Sequence, residues 1–331
     1  MLTLMSLMAA DNGAGFLRTI LEDPRMLQWI GVCAFLLHFA VQIVIAIRVL
    51  MSRRGTGEAL AWIMVVFVFP IGGPLLYLVL GELRLGSRRA ARQAELAKPV
   101  KQWLEQLSDR RRVNWARLDD QLQPLARLCD RTIGVPAMPG NRLHLIPTWE
   151  EVFEHLQHDI DSAQRTCHLE FYIWNVGGKA DEIAEALIRA RQRDVVCRVL
   201  VDSMGSRAFL GSKIAAKMRA AGVQIADALP GGLWRLPFVR FDLRLHRKIV
   251  VIDGCVGYTG SLNLVDPRFF KKDAGVGQWV DAMVRVEGPS VELLQGTFLI
   301  DWYLETDDTL DNLTNTADAC AEPVDGSCVV Q

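Results

Sequence analysis

The chain has 331 residues, half of them hydrophobic, and its 37 basic and 38 acidic side chains leave a formal net charge of −1. That length accommodates a membrane anchor and one sizeable domain, and the mean hydropathy of +0.17 is high for a wholly soluble enzyme. The charge balance argues neither for nor against an anionic partner. Seven scattered cysteines (Cys33, Cys129, Cys167, Cys197, Cys255, Cys320 and Cys328) carry no zinc-like spacing. They fit a reducing compartment rather than a disulfide framework.

Residues 1–25 form a short mixed segment. Met1–Ala10 is apolar but lacks a basic flank and ends at Asp11, so it does not read as a cleaved signal peptide. Met26–Leu50 is long and apolar enough to cross a bilayer as a helix. Ala59–Leu80 is a second such run, in which Pro70, Gly72, Gly73 and Pro74 predict a kink or a re-entrant turn. Trp29, Trp62 and Tyr77 are candidates for the interfacial belt. Two crossings place both ends on one side. Arg84, Arg88, Arg89, Arg92 and Lys98 after the second run favour a cytoplasmic main domain, with Arg48, Arg53 and Arg54 in the hairpin loop pulling the other way.

Gly86–Arg131 is helical in pattern. Its stripe of Trp103, Leu104, Leu107, Trp115 and Leu118, with Arg110–Arg112 and Arg117, fits either a helix on anionic headgroups or a solvated linker. From Asn141 the text alternates strand and helix: strands at 143–146, 168–174, 195–202 and Val223–Ala226, with helices at Trp149–Ser162, Asp181–Arg193 and Phe209–Ala221. This predicts an α/β sandwich with helices on both faces of the sheet. Asp227–Arg244 is a long loop mixing Trp234, Phe238 and Phe241 with Arg235, Arg240 and Arg244. Such a mixture suits lipid, nucleic acid or ordinary packing, and the neighbouring spans tilt it toward lipid. Beyond it lie a strand at Ala282–Val286, opened by Asp281, and a helix at Pro289–Leu304. Glu305–Asp325 is an acidic linker, and Ser327–Gln331 is apolar like the start of another strand.

The stretch with the most chemistry is Leu245–Asn263, LHRKIVVIDGCVGYTGSLN. His246, Lys248 and Asp253 make H-x-K-x4-D, and Gly260, Ser261 and Asn263 make G-S-x-N. Ile249–Ile252 and Val256–Tyr258 predict a hairpin turning at Asp253–Gly254. On an extended chain His246 and Lys248 share a face. An imidazole beside a cation suits attack on a phosphodiester, with Lys248 neutralising the non-bridging oxygens. Asn263 and Ser261 add hydrogen-bond donors for the same phosphate. Asp253 is counted in the catalytic motif, in the role of a structural hydrogen-bonder at the hairpin, and Asp202 is a weak further candidate.

This stretch resembles the signature of the phospholipase D superfamily. With the flanking YTGSLNLVDPRFFKKDAGVGQWVDAMVRVEGPSV it resembles the bacterial cardiolipin synthases of that superfamily, nearly from end to end. The resemblance implies two N-terminal transmembrane helices followed by one phospholipase D-like half-domain. The expected divisions are 1–25, an anchor at 26–83, a basic helical linker at 84–137, the catalytic half-domain at 138–304, and 305–331 as acidic linker and start of a second repeat. It implies that the ends of FYIW and LVDSMGS border the cleft, and that Asp281 orients His246 through the other ring nitrogen.

The implied activity is a phosphatidyltransferase that joins two phosphatidylglycerols into cardiolipin and glycerol through a phosphohistidine. The alternatives are hydrolysis by a phospholipase D or phosphodiesterase, and an inactive half that binds anionic lipid or a partner. No metal or cofactor is implied, and no nucleic acid is expected. Family members carry two motifs and this chain has one, so the resemblance implies a second motif-bearing half from another chain or a homodimer. The expected location is the bacterial inner membrane, as a multi-pass protein with its catalytic domain in the cytoplasm.

Overall fold

A computed structural model describes residues 24–331 apart from 53, 82–86, 111–112, 120, 230–243, 271–274, 276–278 and 316–323. The segment before Pro24, the Arg110–Arg112 side chains and most of the loop Asp227–Arg244 lie outside this description. The chain divides into a unit ending at Arg84 and a larger unit from Leu85 onward.

In the first unit, α1 (Pro24–Met51) runs 28 residues, about 42 Å at helical rise. It is the one described helix long and apolar enough to span a bilayer. The second apolar run differs from the sequence expectation: it is not a single spanning helix. It divides into α2 (Thr56–Val68), α3 (Gly72–Leu76) and a π-helical turn, Tyr77–Gly81. Thirteen residues of α2 reach only about 20 Å, short of the roughly 30 Å hydrocarbon core. The cause is local. Pro70 and Pro74 supply no backbone N–H, and the chain doubles back so closely that a Cβ on Gly73 would lie 2.2 Å from the Val65 carbonyl oxygen. Within this unit Gln42 of α1 donates to the Val66 carbonyl at 2.9 Å, and Trp62 meets Tyr77 edge to face.

In the larger unit, α4 (Ser87–Arg110), a 3-10 turn (Trp115–Arg117) and α5 (Leu122–Ile133) lead into β1 (Met138–Ile146). There follow α6 (Trp149–Ser162), β2 (Thr166–Phe171), α7 (Lys179–Gln192), β3 (Val196–Asp202), α8 (Arg207–Leu210), α9 (Lys213–Ala220) and β4 (Gln224–Ala228). The hairpin β5 (Ile249–Ile252) and β6 (Val256–Gly260), then β7 (Met283–Glu287), α10 (Ser290–Glu305), α11 (Leu310–Asn315) and β8 (Cys328–Val330) complete it. The strands form one eight-stranded sheet in the order β4-β3-β2-β5-β6-β7-β1-β8. The β4-β3-β2 third is parallel and the rest antiparallel.

Alternation sorts the strand residues between two covered faces. Cys167, Leu169 and Phe171 of β2 and Val250 and Ile252 of β5 join one core with Val152, Phe153, Leu156 and Ile160 of α6 and the alanine-rich face of α7. Ile249, Val251 and Val286 pack with Val291 of α10 on the other face. There α4 lies against α10. Trp103 fits over Gly296 and donates to Glu292, Arg89 pairs with Glu305, and the Arg92 guanidinium sits 4.0 Å above the Tyr303 ring. The helix offered by the sequence as headgroup-bound or solvated is thus part of the sandwich, its arginines paired with the end of α10. Ser327–Gln331 contributes β8, which pairs with β1 of this same sheet. Cys255, in the β5–β6 turn, is disulfide-bonded, where the sequence reading expected no disulfide framework.

Beneath α10 the second face of β2 is polar. His168 is fully buried and stacks on Phe298 with centroids 4.7 Å apart. Burial first, then Arg198, lowers its pKa from 6.5 to about 3. The unfolded chain therefore takes up a proton below pH 6.5 that the folded chain refuses until pH 3. This group is neutral toward stability above 6.5 and costs about 1.4 kcal/mol per pH unit as pH falls through that window. A His168→Leu chain is expected to show a shallower loss of urea midpoint between pH 6.5 and 4 than the wild type. Parallel curves would mean that His168 titrates normally.

Candidate active site

The parallel strands β2 and β3 end where the antiparallel β5 begins, so the residues before β5 meet those just after β2. His246 and Lys248 stand at this junction. The Lys248 ammonium donates to the His246 carbonyl at 2.8 Å and lies 3.3 Å and 3.5 Å from the ring nitrogens Nδ1 and Nε2. Lys248 is buried, whereas His246 is exposed. Burial lowers the Lys248 pKa, and the negative charge of Asp281 opposes that fall. The Tyr172 ring lies 5.1 Å from the imidazole and 5.8 Å from the ammonium, closing one wall.

Asn263 is buried nearby and accepts from the Ile173 N–H through Oδ1 at 3.0 Å, so its amide NH2 is the end left to donate. Ser261 reaches this end of the sheet by another route. Its hydroxyl accepts from Ala282 N at 3.1 Å, tying the end of β6 to the residue after Asp281. The structure thus gathers His246, Lys248, Ser261, Asn263 and Asp281 at one end of the sheet. Asp281 acts there on Lys248, and an orienting bond from it to His246 stays a proposal.

Asp253 stands apart. It occupies the β5–β6 turn at the opposite end of β5, at a positive φ of 51°. Its carboxylate accepts from Gln164 N, Arg165 N and Thr166 N at 2.8–2.9 Å. It fixes the hairpin to the start of β2 and touches nothing of the imidazole. Counted in the motif as a structural hydrogen-bonder at the hairpin, it lies the length of β5 away from the phosphate-binding end.

Other residues hold this end of the sheet together. Asp202, at the end of β3, is fully buried and accepts from Leu245 N at 3.1 Å through one oxygen, and from Met204 N and Gly205 N at 2.9 Å through the other. It holds the residue next to His246. Ser206 bridges the end of β2, accepting from Trp174 N and donating to the Tyr172 carbonyl. Arg247, between the two motif residues, makes a paired contact to Asp301 of α10 at 3.0 Å each. Behind it Glu170 is fully buried, and burial followed by Asp301 pushes its pKa well up. The run LVDSMGS signalled the first two. Nothing in the spacing of Glu170, Arg247 and Asp301 signalled the third group. Among the described residues no cluster of His, Cys, Asp and Glu is arranged to hold a metal.

Two family profiles match the chain: "Cardiolipin synthase, PLD-like domain" over residues 156–295 and "Phospholipase D-nuclease N-terminal" over residues 40–82. Cardiolipin synthase A of Yersinia pseudotuberculosis serotype O:1b (strain IP 31758) is 41% identical over 281 residues, covering 85% of this chain and 57% of the relative. Cardiolipin synthase A of Yersinia pestis gives the same figures. The chain therefore spans little more than half the length of these relatives. Among solved structures, the phospholipase D family member Nuc from Salmonella typhimurium aligns with a TM-score of 0.37 at 16% identity, over 51% of this chain and 98% of that one. NucT from Helicobacter pylori aligns with a TM-score of 0.36 at 11% identity, over 53% and 97%. The motif residues, both profiles and the 41% identity agree: over most of its length the chain is similar to the bacterial cardiolipin synthases of the phospholipase D superfamily.

Proposed function

We propose that this chain is a membrane-anchored phosphatidyltransferase that makes cardiolipin from two phosphatidylglycerols. The observation that carries the reading is the exposed His246 imidazole within 3.5 Å of the buried Lys248 ammonium, with Asn263 beside them. The imidazole attacks the phosphorus of one phosphatidylglycerol, a P–N bond forms, and the P–O bond to the headgroup glycerol breaks. Lys248 and Asn263 stabilise the charge on the non-bridging oxygens, and Asp281 keeps the cation-imidazole pair aimed. The departing glycerol oxygen takes a proton from a second histidine. The hydroxyl of another phosphatidylglycerol then attacks the phosphorus, giving its proton to that second histidine as the new P–O bond forms, and the P–N bond to His246 breaks to restore the imidazole.

One H-x-K-x4-D lies in these 331 residues, and the second histidine is that of another motif-bearing half. Labelled phosphatidylglycerol in liposomes tests the reaction. Cardiolipin and free glycerol in equal amounts support it, and phosphatidic acid without cardiolipin means that water is the acceptor. Neither product from the chain, alone or mixed with a second-motif half, overturns the enzymatic reading.

The reading includes a second membrane crossing formed by the α2–α3 region and a larger unit that faces the cytoplasm. The arginines after Gly81 support that side. A reporter fused after Gln331 is expected to be active in its cytoplasmic form. Activity only in the periplasmic form would reverse the orientation.

A further inference from the structure

The end of the sheet that carries His246 is edged by large apolar side chains turned to solvent. Val176 follows β2 and is placed by the bond from Asn175 N to the Leu264 carbonyl. Met204, 57% exposed, sits in the turn that Asp202 holds beside Leu245. Phe269 is 57% exposed, and its ring packs near Gly178 at the start of α7. Trp279 is 47% exposed and meets Phe270 edge to face at 5.9 Å. Val280 is 97% exposed and immediately precedes Asp281, whose charge reaches Lys248. These residues come from three separate loops at one end of the sheet, around a polar centre.

A soluble enzyme handling a water-borne phosphodiester gains nothing from such an edge, because exposed Trp, Phe and Met cost solubility. We propose that this apolar rim is the surface by which the domain seats on a lipid bilayer, with Trp279 and Val280 entering the headgroup–acyl boundary while His246 and Lys248 stay at phosphate depth. The inference rests on the phospholipid reading above and specifies how that substrate reaches the site. Two observations favour a bilayer over a protein partner. A side chain as fully projected as Val280 suits a deformable medium better than a close-packed interface. The apolar α1 of the same polypeptide also keeps the domain beside a membrane. Trp and Phe are the side chains whose rings partition to that boundary.

The test uses the full chain in nanodiscs containing phosphatidylglycerol with a photoactivatable diazirine in one acyl chain. Adducts are mapped by mass spectrometry. Adducts are expected in α1 and in the segments bearing Phe269 and Trp279–Val280. In a Val280→Asp chain the yield at the latter segments is expected to fall about fivefold, the effect of placing one charge at an interface, with the α1 yield unchanged. The substituted side chain is in solvent, so the fold is not at risk. A His246→Ala chain is expected to label like wild type, which separates this inference from the catalytic one. Adducts confined to the N-terminal unit would overturn the proposal, and so would rim segments that cross-link only to a second protein chain.

Discussion

A His246→Ala chain is expected to lose cardiolipin formation by at least about 10³-fold, because removal of a covalent nucleophile leaves only binding and electrostatic effects. No other imidazole stands ready to replace it. His168, on β2 of the same sheet, is fully buried and stacked on Phe298. The acid-labile phosphate bound during turnover is expected to vanish in the same variant. Lys248→Met is expected to be milder, about 10²–10³-fold, since it removes charge stabilisation and leaves the nucleophile. Measurement of bound phosphate after rapid quenching separates the two: the lysine variant still accumulates some phosphohistidine. Wild-type rates from the His246→Ala chain would sink the mechanism.

The second large effect is expected from Asp202→Ala, this time on stability as well as on rate. One buried carboxylate serves three backbone N–H groups, those of Leu245, Met204 and Gly205. Truncation leaves these donors without an acceptor, at about 2–4 kcal/mol in total once local relaxation is allowed for. Urea unfolding reads that loss directly. The Leu245 contact also holds the residue next to the nucleophile, so folded Asp202→Ala protein is expected to show a lowered kcat with little change in KM. Asp202→Asn retains one accepting oxygen and is expected to fall between. A stable variant with normal kcat would mean that the strand before β5 is held by other bonds.

The chemistry was legible in the sequence because its residues are close together there. His246, Lys248, Ser261 and Asn263 lie within one hairpin, and period-two alternation already put the first two on one face. Helices with a strong apolar face were equally readable, and α6 has the bounds expected of it, Trp149–Ser162. The failures have physical causes. The second apolar run promised a second crossing with a kink or re-entrant turn at Pro70–Pro74, and a close backbone approach at Gly73, which no local pattern announces, accompanies its division into shorter helices. Phe209–Ala221 read as one helix and is two, since Ser212 caps α9 through Ala215 N. Arg247 and Asp301 are 54 residues apart, and no local pattern announces a contact at that range.

The pairing of β1 has a consequence for how the molecule is made. Its two neighbours in the sheet arrive late: Glu287 of β7 is 145 residues beyond Arg142, and Cys328 of β8 is 187 residues beyond Asn141. The β2–α7–β3–α9–β4 block, by contrast, joins strands that are close in sequence and is suited to form first. During synthesis at about 5–20 residues per second, β1 waits roughly 7–30 s for its first partner. Throughout that interval it offers an open edge flanked by Leu143 and Leu145, which remain exposed in the finished fold. Nascent chains ending between β1 and β7 are therefore the species most exposed to aggregation and most in need of a chaperone.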